Sequence, residues 1–423
     1  MSAVKPSMET LPLTSILIVP FSELGTKSAA SRNKMMDQLL TNIKHVLRDV
    51  FTISWTKFRV LDERLVFSFK ETDMSKAIFA LSHVPGILRL HSCVETQSNP
   101  ETIARKVATL LAPGHFQVDP GHIEIRALYF LDQAEKKRLI DQVTMILQEE
   151  SSKHQGNDDA KIPVYVEMHG STGFAYLSFA QHAGLNGNPV GSENPLVAEI
   201  IGRPGDLVAS ILAIKRGVVV TPVYFSIGEN AIEPKVYKDL LKYINDVIGL
   251  FHGFPMKKTF FVFLEKIQEA MQENMPTMID QDPCTCCIIS RYLIIARIVK
   301  EQRMVPFVIQ GLDISKDLSL STCPVDKSLD PILNVTNLAL ADPILTMQQP
   351  WPSIFSQYYM NCPVNSDKRS GYSWNFCKFW KDTISSPVGK DFVTEISDFL
   401  NYYILENFSS VVKQIDETFD FNA

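Results

Sequence analysis

The run Ser15–Phe21 (SILIVPF) is apolar almost throughout, which predicts a strand buried on both faces. A polar loop, SELGTKSAASR, leads into a helix from about Ser31 to Asp49. There Met35, Leu39, Ile43 and Leu47 recur every four residues and should face a core, with Arg32, Lys34, Lys44 and Arg48 on another face. Two strand-like runs follow (FTISWTKFRV and RLVFSFK), then a helix (MSKAIFALSHV), a Pro85-Gly86 turn and another strand (ILRLHSCVE). The order βαββαβ predicts a ferredoxin-like split unit.

A second α/β unit is expected over about residues 100–180, with helices at PETIARKVATLLA and AEKKRLIDQVTMILQEE and strands at HIEIRALYF, 162–170 and GFAYLSFA. From 196 the rhythm becomes strand–helix alternation. Strands fall at LVAEII, VVVTPVYF, TFFVFLE and PFVIQG, with helices near 207–215, 235–251, 265–273 and 286–300. That pattern implies a mainly parallel, doubly wound sheet whose ligands sit at the strand C-termini. The stretch Gly184–Asp206 joins the two parts and ends in a strand–turn–helix, the local plan of a phosphate-binding loop. Further on come an aromatic segment (Tyr372, Trp374, Phe376, Phe379, Trp380), expected to pack on the sheet domain or a partner chain, and a helix from Lys390 to about Glu417.

Composition narrows this picture little. The 423 residues are 45% hydrophobic and 21% charged, an ordinary globular balance long enough for several domains. A net charge of −6 excludes a chain that is basic all over, so nucleic acid would have to meet a local basic face. Seven cysteines, two of them adjacent, do not make a secreted disulfide framework; they suit reduced thiols or a metal site. Without a signal peptide pattern or an apolar run approaching the roughly 18 residues of a membrane span, the expectation is a soluble, cytoplasmic protein with no membrane partner.

Several ordered motifs resemble the tRNA 4-thiouridine synthetase (ThiI) family. Glu23, Lys27, Ser28, Arg32 and Asn42 match its opening strand, turn and basic helix; VPGIL (84–88) is similar to its link out of the first domain. Gly187, Pro189, Val190 and Gly191 fall in step with its P-G-x-G-G-L-P-V-G-T stretch. Lys215, Arg216, Gly217, Pro222, Val223 and Phe225 match K-R-G-x-x-V-x-P-V-x-F. Cys284 and Cys287 resemble the C-x-x-C of archaeal members, and Cys362 sits where the family carries its distal cysteine. The series runs from about 14 to 365. It implies an α/β protein with an N-terminal ferredoxin-like domain (1–95), a THUMP RNA-binding domain (96–192), a doubly wound, Rossmann-like PP-loop domain (193–365) and an aromatic, helical C-terminal extension (366–423).

The resemblance implies ATP-dependent thiolation of a tRNA uridine. ATP with Mg²⁺ would bind at Gly202, Arg203, Gly205 and Asp206, with Asp206 at the activation step. Cys284, Cys287 and Cys362 would handle sulfur as catalytic thiols or as ligands of an iron–sulfur cluster. The donor would be a cysteine desulfurase or sulfide. Lys27, Arg32, Lys34, Lys44 and Arg48 would meet tRNA phosphates, joined by Arg105 and Lys106, and a homodimer would share the tRNA. Where the family has S-G-G-x-D-S, this chain reads Gly202-Arg203-Pro204-Gly205-Asp206-Leu207. Where it has G-E-S-L-G-Q-x-x-S-Q-T, the chain reads LDISKDLSLST after Gly311, and Ala127-Leu128-Tyr129 replaces a basic K-R-R. Two readings therefore stand side by side: a tRNA sulfurtransferase, or a non-enzymatic relative that binds tRNA or a partner. Asp206 is correspondingly an activation-site acid or a helix cap, and the cysteines are sulfur ligands or small buried hydrophobes.

Overall fold

The computed structural model describes residues 14–21, 26–61, 64–111, 117–127, 133–151, 161–201, 204–226, 234–253, 258–276, 283–309, 339–341 and 390–415. Two compact units divide the chain, Met1–Pro189 and Val190–Ala423.

The first unit opens with the expected order: β1 (Ser15–Pro20), α1 (Ala29–His45), β2 (Lys57–Leu61), β3 (Arg64–Ser68), α2 (Met74–Ser82) and β4 (Ile87–Gln97). It continues through α3 (Pro100–Leu111), β5 (Gln117–Ala127), α4 (Gln133–Ser151), β6 (Lys161–His169), β7 (Thr172–Leu177) and β8 (Gln181–Ala183). All eight strands share one sheet, ordered β2-β3-β1-β4-β7-β6-β5, with β8 also on β4. The long β4 links the halves, its first part pairing with β1 and its last four residues with β7. Ser28 caps α1 by accepting the Ser31 N–H at 3.3 Å. Leu39, Ile43 and Leu47 are buried as the spacing requires, while Met35, expected to join them, is only half-buried. The helix widens into a π-type turn at Val46–Val50, and positive φ at Thr52 (55°) breaks the run expected to be extended from Phe51, so β2 begins only at Lys57.

Period-two alternation gives this sheet two buried faces. Ile16, Ile18, Leu65, Phe67, Val164, Val166, Ala175 and Leu177 meet the helices. Leu17, Val66, Cys93, Phe174 and Tyr176 line the other face. On that second face Arg64 of β3 donates to Glu167 of β6 at 2.7 Å. A flat sheet would separate these strands, four places apart, by roughly 19 Å. The sheet is therefore curled, and its concave side closes on itself. Arg59 contributes to the closure, lying 2.6 Å from Glu95 and over the Phe174 ring.

The second unit is a three-layer sandwich. Its strands are β9 (Leu196–Ile200), β10 (Val220–Ser226), β11 (Thr259–Phe263), β12 (Phe307–Ile309), β13 (Ala339–Ala341) and β14 (Val412–Ile415), ordered β13-β12-β9-β10-β11-β14. Every pairing is parallel except that of β14, which runs antiparallel to β11. The helices are α5 (Pro204–Lys215), α6 (Pro234–His252), α7 (Leu264–Asn274), α8 (Pro283–Glu301) and α9 (Lys390–Val411). The α/β, doubly wound expectation holds. The C-terminal helix ends at Val411, short of the expected Glu417, because the chain turns into β14. Val393, Ile396, Leu400, Ile404 and Val411 join the core shared by α7 and α8. The aromatic segment 372–380 lies outside the described residues.

The motif stretches around the junction have structural work within each unit. Gly86, at φ +95°, donates to Asn186 O (3.0 Å), and Asn186 N–H returns to Ile87 O (2.7 Å). At Gly184 the backbones are so close that a Cβ would lie 2.1 Å from Ile87 O. In the second unit Gly191 and Glu193 N–H both donate to Gly217 O, and Gly217, at φ +93°, ends α5. Among the described residues no helix is long and apolar enough to cross a membrane.

Candidate functional site

The parallel sheet of the second unit changes direction between β9 and β12: β10 and β11 build outward on one side of β9, β12 and β13 on the other. Neighbouring strands whose connections leave in opposite directions open a crevice at their C-terminal ends, where ligands of doubly wound folds bind. Two expected segments reach that edge. β9 runs through Ile201 into α5, whose N-terminus therefore lies at the crevice. α8 returns the chain to the start of β12, so its N-terminal turn, carrying Cys284, Cys286 and Cys287, lies at the same edge.

The first of these segments fits an anion in frame and departs from it in detail. α5 begins at Pro204, so the proline occupies the first helical position, where its missing N–H costs least. Gly205, Asp206 and Leu207 retain first-turn donors, and the helix dipole is positive there. Asp206 is buried, 1% exposed, and its Oδ2 accepts the Ile201 N–H at 2.9 Å. It reaches back from the third helical position to fasten the strand–helix turn, rather than capping from outside the helix. Ser210 continues the internal bonding by donating to Asp206 O. Gly202 and Arg203 lie outside the described residues.

The cysteines divide. Cys286 is 2% exposed and belongs to the core, while Cys287 is half-buried at the margin of that core. Positions 284 and 287, three apart, share a helix face; position 286 does not. Cys362 lies outside the described residues, among which no group of three or more histidine, cysteine or acidic residues could hold a metal. The described part of the site thus offers two cysteine positions of the three a cluster was expected to use.

The expected cations of the first unit have unequal freedom. Lys27 and Lys34 are exposed and Arg32 is half-buried. Lys44 lies over the Phe58 ring, 5.0 Å from its centroid. Arg48 grips Asp49 with two hydrogen bonds of 2.6 and 3.0 Å. Arg105, the further candidate on α3, pairs with Glu101. In β5 the chain at Arg126–Ala127 is extended beside β6, while Leu128 and Tyr129 lie outside the described residues.

Sequence reasoning missed one pair. Glu199, the only charged residue of β9, meets Arg291 of α8 (Nη1 to Oε1, 3.3 Å), and both side chains are less than a tenth exposed. The signal was present: one acid in LVAEII and one base in CCIISRYLIIA, each alone in an apolar run.

Comparison with known proteins agrees with this architecture. Residues 16–90 match the ThiI ferredoxin-like domain family. The chain is similar to a probable tRNA sulfurtransferase of Bacillus licheniformis, 27% identical over 61% of this chain and 63% of that protein. It is also similar to one of Methanosarcina mazei, 28% identical over 53% and 56%. It therefore spans less than two thirds of the length of these relatives. A solved 4-thiouridine synthetase in complex with RNA, with bound ATP, shares the fold at a TM-score of 0.72 and 17% identity, covering 95% of this chain and 100% of that one.

Proposed function

Taking the chain as a member of the ThiI lineage, we propose that it binds tRNA and thiolates one of its uridines in an ATP-dependent reaction. One observation carries this reading: α5 and α8, some eighty residues apart in the sequence, bring the helix start at Gly205–Asp206 and the cysteine turn to the same edge of the sheet, at its switch point. ATP, when bound, supplies the leaving group that activates the uridine carbonyl. The first-turn N–H groups of α5 would hold its phosphates, with Gly202, Arg203 and Gly205 shaping the loop. As thiols, Cys284, Cys287 and Cys362 would take sulfane sulfur from the persulfide of a cysteine desulfurase, whose thiolate is the leaving group; around an iron–sulfur cluster they would hold the iron to which sulfide binds. A homodimer would present the basic helix of one unit to a shared tRNA.

A second reading rests on Asp206. Its carboxylate is buried against Ile201 N–H, which is what a structural turn needs and not what presentation to Mg²⁺ requires. On this reading the chain is a tRNA-binding relative without turnover. Calorimetric titration with Mg-ATP separates the two. The catalytic reading expects binding heat that Asp206→Asn, which keeps an acceptor for Ile201, strongly reduces. Wild type that gives no heat sinks it and leaves the second. Iron analysis of anaerobically purified protein decides between cluster and thiols.

A further inference from the structure

α8 is buried nearly all round. Cys286 and every residue from 288 to 295 are inside, between the sheet and α9. An amphipathic helix takes its rotation from its apolar stripe, and over residues 288–295 α8 has none, its half-exposed and exposed charges (Arg297, Lys300 and Glu301) lying only in the last turns. Sliding such a helix by one residue turns each side chain by about 100° while apolar still meets apolar. Arg291 is the single charged residue between Pro283 and Ala296, and it meets the single charged residue of β9. Burying this pair adds little stability, because removing two charges from water offsets their attraction; the best-attested use of such pairs is to fix register.

We propose that Glu199–Arg291 is a positioning pair that fixes the rotation of α8, and so sets which face its cysteine turn gives to the switch-point crevice. Residues 284, 287 and 291 are spaced i, i+3 and i+7 and fall on one helix face. Tying Arg291 to Glu199, the penultimate residue of β9, aims that face at the strand that leads into Gly202–Asp206. A one-residue slip would replace Cys287 in this orientation by Cys286 or Ile288. The adjacent cysteines make the pin necessary: without it, two thiols compete for one position. The role assigned to Cys287 rests on the thiolation reading; the pinning of α8 does not.

The test uses the full chain and the double variant Glu199→Met/Arg291→Met, which keeps the volume and removes both charges. Its unfolding midpoint is expected to match wild type, because an apolar pair replaces an ion pair without loss. Alkylation by iodoacetamide, resolved by peptide mass spectrometry, is expected to rise about tenfold at Cys287 and to spread to Cys286 as the helix samples other rotations. A double variant of wild-type stability and wild-type labelling at both cysteines overturns the proposal, since packing alone would then orient the helix. If the double variant fails to fold, Arg291→Lys carries the test. Lysine keeps the charge and loses the forked guanidinium, so labelling should rise about threefold; an unchanged rate overturns the proposal equally. Labelling reads the pin whether or not ATP binds. A labelling shift without ATP heat therefore keeps the pin and retires catalysis, and the reverse result retires the pin alone.

Discussion

In the N-terminal unit the buried carboxylate Glu167 meets Arg64 across a sheet that curls onto itself; in the C-terminal unit Glu199 meets Arg291 across a sheet–helix interface. The two pairs differ in their surroundings. Glu167 has His169 as a second neighbour at 3.3 Å, on a face that also carries Arg59, Glu95, His91 and Tyr176. Glu199 stands in a strand whose other residues are apolar and faces the part of α8, residues 288 to 295, that is buried throughout. A one-sided helical layer leaves the first sheet a second face to seal, and polar side chains long enough to span the curl seal it. A two-sided helical layer leaves the second sheet no such face, so the Glu199–Arg291 pair is left to specify geometry. The same chemistry is thus structural closure in one unit and register in the other.

The contrast breaks most sharply at Arg64. Arg64→Met would leave Glu167 inside with, among the ion-pair partners of the described residues, only His169 beside it, and the cost of stranding one member of a buried pair is about 3–5 kcal/mol. Denaturant unfolding should show that loss in the first unit. A midpoint equal to wild type would mean that the curl is held by Phe174, Tyr176 and Leu17 alone, and the closure role would fall.

Acid sharpens the same point more gently. Burial by itself would push the Glu167 carboxyl up, but the His169 ring 3.3 Å away and the charge of Arg64 outweigh it and hold it below its ordinary value of 4.5. A group whose folded value is depressed binds fewer protons folded than unfolded. Its contribution is therefore complete above about pH 4.5 and drains away as pH falls through the folded value. Glu167→Gln should flatten this part of the stability–pH curve; an identical acid slope in the variant would assign the acid sensitivity elsewhere.

Much of this architecture was legible because periodicity is a local property. The split βαββαβ order and the four parallel strands followed from alternation and apolar runs, and the helices from 204 to 301 fell within a few residues of expectation. What escaped was non-local. No local signal in FTISWTKFRV says that Thr52 takes positive φ, or that a helix expected to reach Glu417 yields to a strand on the open edge of β11. The curl of the first sheet depends on Arg64 meeting a partner 103 positions away. At the candidate site the sequence offered the residues and the topology supplied their common edge. Asp206 was legible as an acid at a helix start; its turn inward to Ile201 was not, because the partner is a backbone N–H. Glu199 and Arg291 were visible as lone charges in apolar runs, and only the structure makes them one feature.

The smallest expected effect belongs to the exposed counterpart of these pairs. Arg48 and Asp49 are neighbours on the π-type turn, and His45 adds a 2.8 Å contact to the same carboxylate. Those contacts, Arg48 first, hold Asp49 well below the usual carboxylate range. Because both side chains are exposed, water competes for both partners, and Arg48→Ala should leave the unfolding midpoint where it is. On the proposed RNA-binding reading, the pair matters instead for binding. Asp49 neutralises one of the five cations proposed to meet tRNA phosphates, so Asp49→Ala should release the guanidinium for one further contact. The slope of log affinity against log salt would then steepen by about 0.9. Arg48→Ala should change that slope less than Lys34→Ala, since Lys34 is exposed while Arg48 is held by Asp49. A slope indifferent to both Asp49→Ala and Lys34→Ala would move the RNA footprint off α1 altogether, and with it the division between a first unit that offers charge to a ligand and a second that buries it.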